Sequence, residues 1–145
     1  MAKLNPYLMF NGDAEAAFSF YKAVFGGEFA AVMRFKDIPD QEGCENVSDA
    51  DKEKIMHIAL PVGDGDVLMA GDAPEAMGRL TAGNNFSLSV NAASREEADR
   101  FYGGLAEGGK AEMPMADAFW GDYFGMLCDR FGIHWMISYN EKYSK

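Results

Sequence analysis

The stretch Pro6–Gly27, PYLMFNGDAEAAFSFYKAVFGG, decides the fold, because an apolar run, a turn and an amphipathic segment follow one another directly. Pro6–Phe10 is short and apolar, which predicts a strand, and Asn11-Gly12-Asp13 predicts a turn that can also cap a helix. From Ala14 to Phe25 the apolar residues recur in steps of three and four, the spacing of a helix with one buried face. Gly26-Gly27 then ends that helix.

A second stretch, Phe86–Gly109 (FSLSVNAASREEADRFYGGLAEGG), repeats this order. Phe86–Val90 alternates between apolar and polar residues, which predicts a half-buried strand. Ser94, with Glu97 three residues later, predicts a capping box at the start of a helix that runs to about Ala106. One face of that helix carries its apolar residues, namely Ala98, Phe101, Tyr102 and Leu105, and Gly108-Gly109 ends it.

Both helices contain a Phe-Tyr pair and both end at a Gly-Gly pair, which is typical of a tandem repeat. Lys36–Lys54 predicts a long solvated loop, and Asp72–Asn84 predicts a polar connector. We therefore predict a single α+β domain of two tandem βαβββ modules, at about residues 1–75 and 84–145, forming an open barrel-like cleft. The strands predicted after the two helices are Phe29–Phe35, Ile55–Val62, Val67–Ala70, Ala111–Met115, Tyr123–Cys128 and Trp135–Tyr139.

The charge balance indicates which partners to expect. The chain has 13 basic and 23 acidic residues, a net charge of -10, which argues against nucleic acid and against anionic membrane surfaces. No apolar run approaches the ~20 residues of a membrane span, and the first residues lack a signal-peptide pattern. Two cysteines, Cys44 and Cys128, are too few for a disulfide scaffold, so we expect reduced thiols and a cytoplasmic protein.

Several familiar catalytic motifs are missing from the sequence. It contains no Walker motif, no G-x-G-x-x-G dinucleotide loop and no G-x-S-x-G elbow. It also has no Gly-rich loop after a strand of the kind that a methyl-donor site in a doubly wound fold requires. These absences argue against nucleotide, hydrolase and methyl-transfer chemistry of the common types.

The chain resembles the vicinal oxygen chelate superfamily, which includes glyoxalase I, fosfomycin-resistance proteins, bleomycin-binding proteins and extradiol dioxygenases. It is most similar to the PhnB-like branch. The resemblance implies the glyoxalase/bleomycin-resistance fold and a homodimer. It rests on Pro6-Tyr7-Leu8 with Phe10, Gly12, Ala14-Glu15-Ala16-Ala17, Phe20-Tyr21, Phe25-Gly26, Glu42-Gly43-Cys44, His57, Met69, Asp72-Ala73, Gly109-Lys110, Phe119-Trp120-Gly121, Phe124-Gly125, Asp129-Arg130-Phe131-Gly132 and Trp135-Met136-Ile137.

In the superfamily's enzymes, His and Glu side chains at four strand positions hold a divalent metal. The resemblance carries those positions onto Pro6, Met69, Asn85 and Met136. Proline and a methionine thioether do not suit a hard or borderline divalent ion, and a shift of one residue does not recover a His and carboxylate set. We therefore expect no metal and no cofactor.

Two histidines and one aromatic stretch are the main candidates for a functional role. His57 is expected to share a strand face with Ile55 and Ala59, as a general base or as a structural residue. His134 lies on the same side of its strand as Met136 and is either a pocket residue or an exposed turn residue. The aromatics Phe119 and Trp120 have three alternative roles: they stack on a ligand, they pack in the core, or they form a dimer contact.

The sulfur-containing residues have alternative roles too. Asp129 next to Cys128 is expected to raise the thiol pKa, and Cys44 lies in an acidic loop, so neither is a good nucleophile. Most of the ten methionines are expected to fill the core, although methionine also adapts to varied apolar ligands.

These observations predict a metal-free small-molecule binding protein with a cleft between its two modules and an apolar or aromatic ligand. One alternative is an enzyme, either a glyoxalase- or dioxygenase-like metalloenzyme or a metal-free enzyme that uses His57 or His134. Another is a dimeric protein-interaction module with a vestigial cleft. The candidate pocket residues are His57, Met69, Asn85, Phe119, Trp120, His134 and Met136.

Overall fold

The computed structural model describes residues 2, 4–37, 49–63, 65–75 and 78–141. Cys44 and most of the predicted loop Lys36–Lys54 lie outside these residues. The chain divides into two compact units, residues 1–81 and 82–145, and the described residues of each unit form one α-helix and one four-stranded mixed sheet. Among the described residues, no helix is both long and apolar enough to cross a bilayer.

The first unit follows the order predicted from the opening stretch of the sequence. Its strands are arranged β1-β4-β3-β2, with β1 parallel to β4 and the other neighbours antiparallel. A short 3-10 turn, Phe35–Asp37, follows β2. The elements are β1 (Tyr7–Phe10), α1 (Ala14–Phe25), β2 (Ala31–Arg34), β3 (Ile55–Val62) and β4 (Asp66–Asp72).

One face of α1 packs on one face of this sheet, as its three-and-four spacing predicts. Phe18 and Tyr21 are fully buried and meet edge to face, with ring centroids 5.5 Å apart. Phe18 also contacts Phe10 of β1, at 6.5 Å between centroids. Truncating a buried aromatic of this kind to alanine costs about 3–5 kcal/mol, so this contact is a main source of the unit's stability.

Asp72, at the end of β4, holds the start of α1. Its Oδ1 accepts hydrogen bonds from the Gly12 and Ala14 amides, both at 3.0 Å, and its Oδ2 accepts one from the Ile55 amide at 2.9 Å. Asp13, at the N-cap position, makes no side-chain cap hydrogen bond. The expectation that the turn residues themselves cap this helix is therefore corrected, since the buried carboxylate of a distant strand takes that role.

The second unit has the same order of elements and the same strand arrangement. Its sheet is ordered β5-β8-β7-β6, with β5 parallel to β8 and the other neighbours antiparallel. The predicted βαβββ duplication and the α+β fold are confirmed, with neither sheet closed into a barrel. The elements are β5 (Leu88–Asn91), α2 (Arg95–Ala106), β6 (Lys110–Asp117), β7 (Tyr123–Cys128) and β8 (His134–Tyr139).

Side chains close to the ends of the second unit's elements fix their geometry. The Ser94 hydroxyl accepts a hydrogen bond from the Glu97 amide at 3.0 Å, as a capping box requires. The Glu97 carboxylate bonds to the amide of Ala93, at 2.9 Å, one residue earlier than the box predicts. In the β7–β8 turn, Asp129 accepts hydrogen bonds from two turn amides and from the indole of the buried Trp135, at 2.8 Å.

Candidate functional site

Each sheet packs its helix on one side only, and the candidate residues that lie in strands are found on the opposite side. In the first unit we call this side the first helix-free face and define it by Tyr7, Met9, Met33, His57 and Met69. Residues directly opposite on neighbouring strands share a face, and Tyr7 pairs with Met69 while Met33 pairs with His57. The neighbours Leu8 and Phe10, which point the other way, are buried.

Tyr7 and His57 form an aromatic pair on this face. Their rings stack with centroids 5.7 Å apart and planes at 27°. The Tyr7 hydroxyl donates to the Met56 carbonyl oxygen at 3.2 Å, and burial raises the pKa of this phenol, so Tyr7 stays protonated. Gly71 makes room for this arrangement, because a Cβ there would lie 2.6 Å from the Met56 carbonyl oxygen and 3.0 Å from the Tyr7 hydroxyl.

The environment of His57 differs in part from the prediction. His57 pairs with Met33 and Ala59 pairs with Ala31, so His57 and Ala59 share a face. Ile55 is not on that face, because the register shifts between Met33 and Arg34 and β3 carries one extra residue there. Ile55 is buried instead. Strict alternation fails at a bulge, and the local sequence does not mark this one.

The second helix-free face lies on the side of the other sheet away from α2. We define it by Met113 of β6, by Phe124, Met126 and Cys128 of β7, and by His134 and Met136 of β8. Met126 pairs with both Met113 and Met136, and Cys128 pairs with His134. Tyr123, which precedes this set, points towards α2, where its hydroxyl donates to Asp99.

Phe119 and Trp120 extend this face at the β6–β7 connection. Phe119 is 97% exposed and Trp120 is 53% exposed, so core packing is the wrong interpretation of this pair. Their rings meet edge to face at 5.1 Å, and Trp120 contacts Phe124 of the second helix-free face at 5.6 Å. The Trp120 indole donates to the Asp122 carboxylate at 3.0 Å, which fixes the ring beside the face.

Asn85 is not brought to either face. It is exposed and lies three residues before β5 begins at Leu88. Pro6 also precedes its strand, and its carbonyl oxygen accepts the hydrogen bond of the Met69 amide at 3.1 Å. Of the four positions that the resemblance implies for a divalent metal, only Met69 and Met136 lie within strands.

These residues do not fit the divalent metal of the superfamily's enzymes. Pro6 offers no side-chain donor, and the two methionines offer soft thioethers to an ion that prefers oxygen and imidazole. Within the part of the chain that the structure describes, no group of three or more His, Cys, Asp and Glu residues is placed to hold a metal ion.

At the far end of the second helix-free face, an imidazole contacts a carboxylate and pairs across the strands with a cysteine. His134 Nδ1 is 3.4 Å from Oε1 of Glu112, and Cys128 is the cross-strand neighbour of His134. Burial raises the pKa of the Cys128 thiol, Asp129 and Glu112 raise it further, and Lys110 opposes them. The thiol therefore stays protonated near neutral pH, which argues against a nucleophilic role, as the sequence predicts.

Sequence reasoning did not select Tyr7, Phe124 or Met126 as pocket residues, and it did not connect Glu112 with His134. Phe124 and Met126 alternate with Tyr123 and Leu127 in a strand whose bounds are correctly predicted, so alternation alone would have found them. Glu112 is 22 residues from His134, and no local pattern connects two side chains so far apart in sequence.

Comparison with known proteins places the chain in a family. A family model described as 3-demethylubiquinone-9 3-methyltransferase matches residues 2–138. Protein YjdN of Escherichia coli (strain K12) is 29% identical over 140 residues, which are 93% of each chain. The crystal structure of protein PA1353 from Pseudomonas aeruginosa is 38% identical, with a TM-score of 0.84 and coverage of 97% of this chain and 98% of that one.

A more distant structure supports the fold alone. A glyoxalase/bleomycin resistance protein from Albidiferax ferrireducens T118 is 19% identical, with a TM-score of 0.62 and coverage of 95% of this chain and 99% of that chain. Together with the two βαβββ units, this likeness confirms the glyoxalase/bleomycin-resistance fold that the resemblance implies. The chain therefore belongs to the 3-demethylubiquinone-9 3-methyltransferase family, a PhnB-like group.

Proposed function

We propose that this protein binds a small apolar or aromatic molecule and does so without the divalent metal of the superfamily's enzymes. One observation carries the proposal: the helix-free faces present methionine, aromatic and imidazole side chains in register, where a chelating set of His and Glu would be needed for a metal. Tyr7 with His57 on the first face, and Trp120 with Phe124 beside the second, are the aromatic parts.

The chemistry of these side chains suits a flat apolar ligand. Aromatic rings gain from offset or edge-to-face contact with another ring, and thioethers are polarisable and adjust to irregular shapes. A two-ring ligand that loses about 200 Å² of apolar surface gains about 5 kcal/mol at ~25 cal/mol per Å². That corresponds to a dissociation constant of roughly 0.2 mM before polar contacts are added.

A neutral fluorescent probe tests the proposal directly. N-phenyl-1-naphthylamine is apolar and uncharged, so the net charge of -10 does not repel it. We expect saturable binding at one site per chain, with a blue-shifted and brighter emission. Met69→Lys and Met136→Lys each place a charge on one helix-free face, and we expect one of them to weaken binding at least tenfold.

A matched control places the same charge elsewhere. Leu4 is almost fully exposed and lies outside both faces, so Leu4→Lys should bind the probe as the unaltered protein does. Thermal melting of each variant confirms that it is folded. Non-saturable binding, or equal affinity in all four proteins, would contradict the proposal.

The sheet topology gives no support for the methyl transfer in the family's description. In a doubly wound fold the cofactor binds at the switch point of a mostly parallel sheet. Each sheet here contains one parallel pair among its three neighbouring pairs. Transfer of a methyl group has no supporting observation among the described residues.

The family resemblance and the cysteine content support two further parts of the proposal, a homodimer and a cytoplasmic location. Light scattering after gel filtration tests the first. A mass of one 15.9 kDa chain would contradict the dimer, and a mass of two chains would support it.

A further inference from the structure

We propose that the second helix-free face holds a copper(I) site formed by Cys128, His134, Met126 and Met136. All four side chains carry soft or borderline donors, and all four project from the same face of two adjacent strands. This inference goes beyond the proposed function, because it concerns a metal ion and not an apolar ligand, although both involve Met136 and the second helix-free face.

The register of β7 and β8 places the four donors in a compact set. Cys128 lies directly opposite His134, and Met126 lies directly opposite Met136. Opposite side chains have Cβ atoms roughly 5 Å apart, and residues two apart on a strand are separated by roughly 7 Å. The four Cβ atoms therefore mark a rectangle small enough for the side chains to converge on one ion above its centre.

Glu112 orients the imidazole of the proposed site. Its carboxylate lies 3.4 Å from Nδ1 of His134, which fixes the ring through that nitrogen. Nε2 of His134 has no hydrogen-bond partner among the described residues, and it is left for an ion. A carboxylate that orients the outer nitrogen of a histidine is a common feature of metal-ligating imidazoles.

The donor set selects the metal. Thiolate and thioether sulfur prefer copper(I), whereas hard divalent ions prefer oxygen. Cys128 is a free thiol and is half-buried, as are His134 and both methionines. Glu112 and Asp129 provide negative charge close by, and Lys110, the cross-strand partner of Cys128 on β6, opposes them.

Binding involves no change in the oxidation state of the copper. The S–H bond of Cys128 breaks, its proton passes to solvent, and a bond forms between Sγ and the copper(I) ion. The other three donors bind through lone pairs that they already carry. The site therefore needs only copper that is already reduced.

The test is an anaerobic titration with copper(I), with bicinchoninate as the competing chelator. We expect the full chain to withdraw one equivalent of copper(I) from the coloured bicinchoninate complex. Cys128→Ser should weaken binding at least 100-fold, and the double variant Met126→Leu with Met136→Leu should weaken it at least tenfold. Leucine keeps the volume of methionine without its sulfur, so the fold is preserved.

Two control variants isolate the site from other sulfur in the chain. Met33→Leu removes an exposed thioether of the first unit, and Cys44→Ser removes the second cysteine. Both should bind copper(I) as the unaltered protein does. The proposal is overturned if the unaltered protein takes no copper, if Cys128→Ser binds it equally well, or if zinc(II) binds more tightly than copper(I) under the same competition.

Discussion

The carboxylate of Asp72 links the helix and the sheet of the first unit, and Asp72→Asn tests that link. The side chain is 2% exposed and accepts three backbone hydrogen bonds at 2.9–3.0 Å, from the amides of Gly12, Ala14 and Ile55. Asparagine has nearly the same shape, so the substitution changes charge and hydrogen bonding with little change in volume.

The magnitude follows from counting these bonds. The amide NH₂ group of asparagine must face at least one backbone N–H, and a buried donor without an acceptor costs about 1–3 kcal/mol. The remaining bonds change from a charged to a neutral acceptor, at a cost of roughly 1 kcal/mol each. We therefore expect the free energy of unfolding to fall by about 3–5 kcal/mol, a large part of the 5–15 kcal/mol typical of a domain.

Urea unfolding, followed by circular dichroism, measures this loss as a lower midpoint with an unchanged slope. Asp13→Asn is the matched control, because Asp13 occupies the N-cap position of the same helix and makes no cap hydrogen bond from its side chain. Its effect should stay within about 0.5 kcal/mol. A loss below about 1 kcal/mol in Asp72→Asn, or an equal loss in the control, would refute the reasoning.

Three further outcomes are expected. Gly71→Ala places a Cβ 2.6 Å from a backbone carbonyl oxygen and 3.0 Å from the Tyr7 hydroxyl. Thermal denaturation should therefore show that the free energy of unfolding falls by about 1–3 kcal/mol. An unchanged melting temperature would contradict the close packing. In a Cys44→Ser background, iodoacetamide should alkylate Cys128 more slowly at pH 8 than it alkylates a short cysteine peptide, because burial raises the thiol pKa and lowers the thiolate fraction. For the same reason, the alkylation rate should keep rising above pH 9. A plateau near neutral pH would argue against that. Trp120→Phe should remove most of the fluorescence that acrylamide quenches, since the other tryptophan is 2% exposed; equal quenching in both proteins would mean that Trp120 is shielded.

Much of the fold follows from local pattern. The bounds of α1, α2, β3 and β7 match the predicted ones, or differ by one residue at an end, because helical and strand periodicity depend on neighbours in sequence. The ends of β5 and β6 are less well predicted: β5 begins two residues after Phe86, and β6 runs to Asp117. Pairing with a neighbouring strand sets those ends, and the sequence of one strand does not determine how long its partner is.

The candidate site was predictable only in part. Alternation correctly places Met136 and His134 on one side of β8, and the structure adds Phe124, Met126 and Cys128 to that side from β7. The resemblance implies a strand position for Asn85, but Asn85 lies outside β5, because the connector continues up to Leu88. An alignment without an observed register transfers such positions with an error of a few residues.

The sequence by itself determined the repeated order of strand, helix and three strands, because hydrophobic period, Gly-Gly stops and the Ser94 cap act within one or two turns of chain. Only the tertiary structure decided that Asp72 holds a helix start 58 residues away, and that Glu112 meets His134 across 22 residues. These contacts depend on which strands pair and in which register. Pairing is selected by the combined packing of a whole sheet on its helix, so no local pattern encodes it.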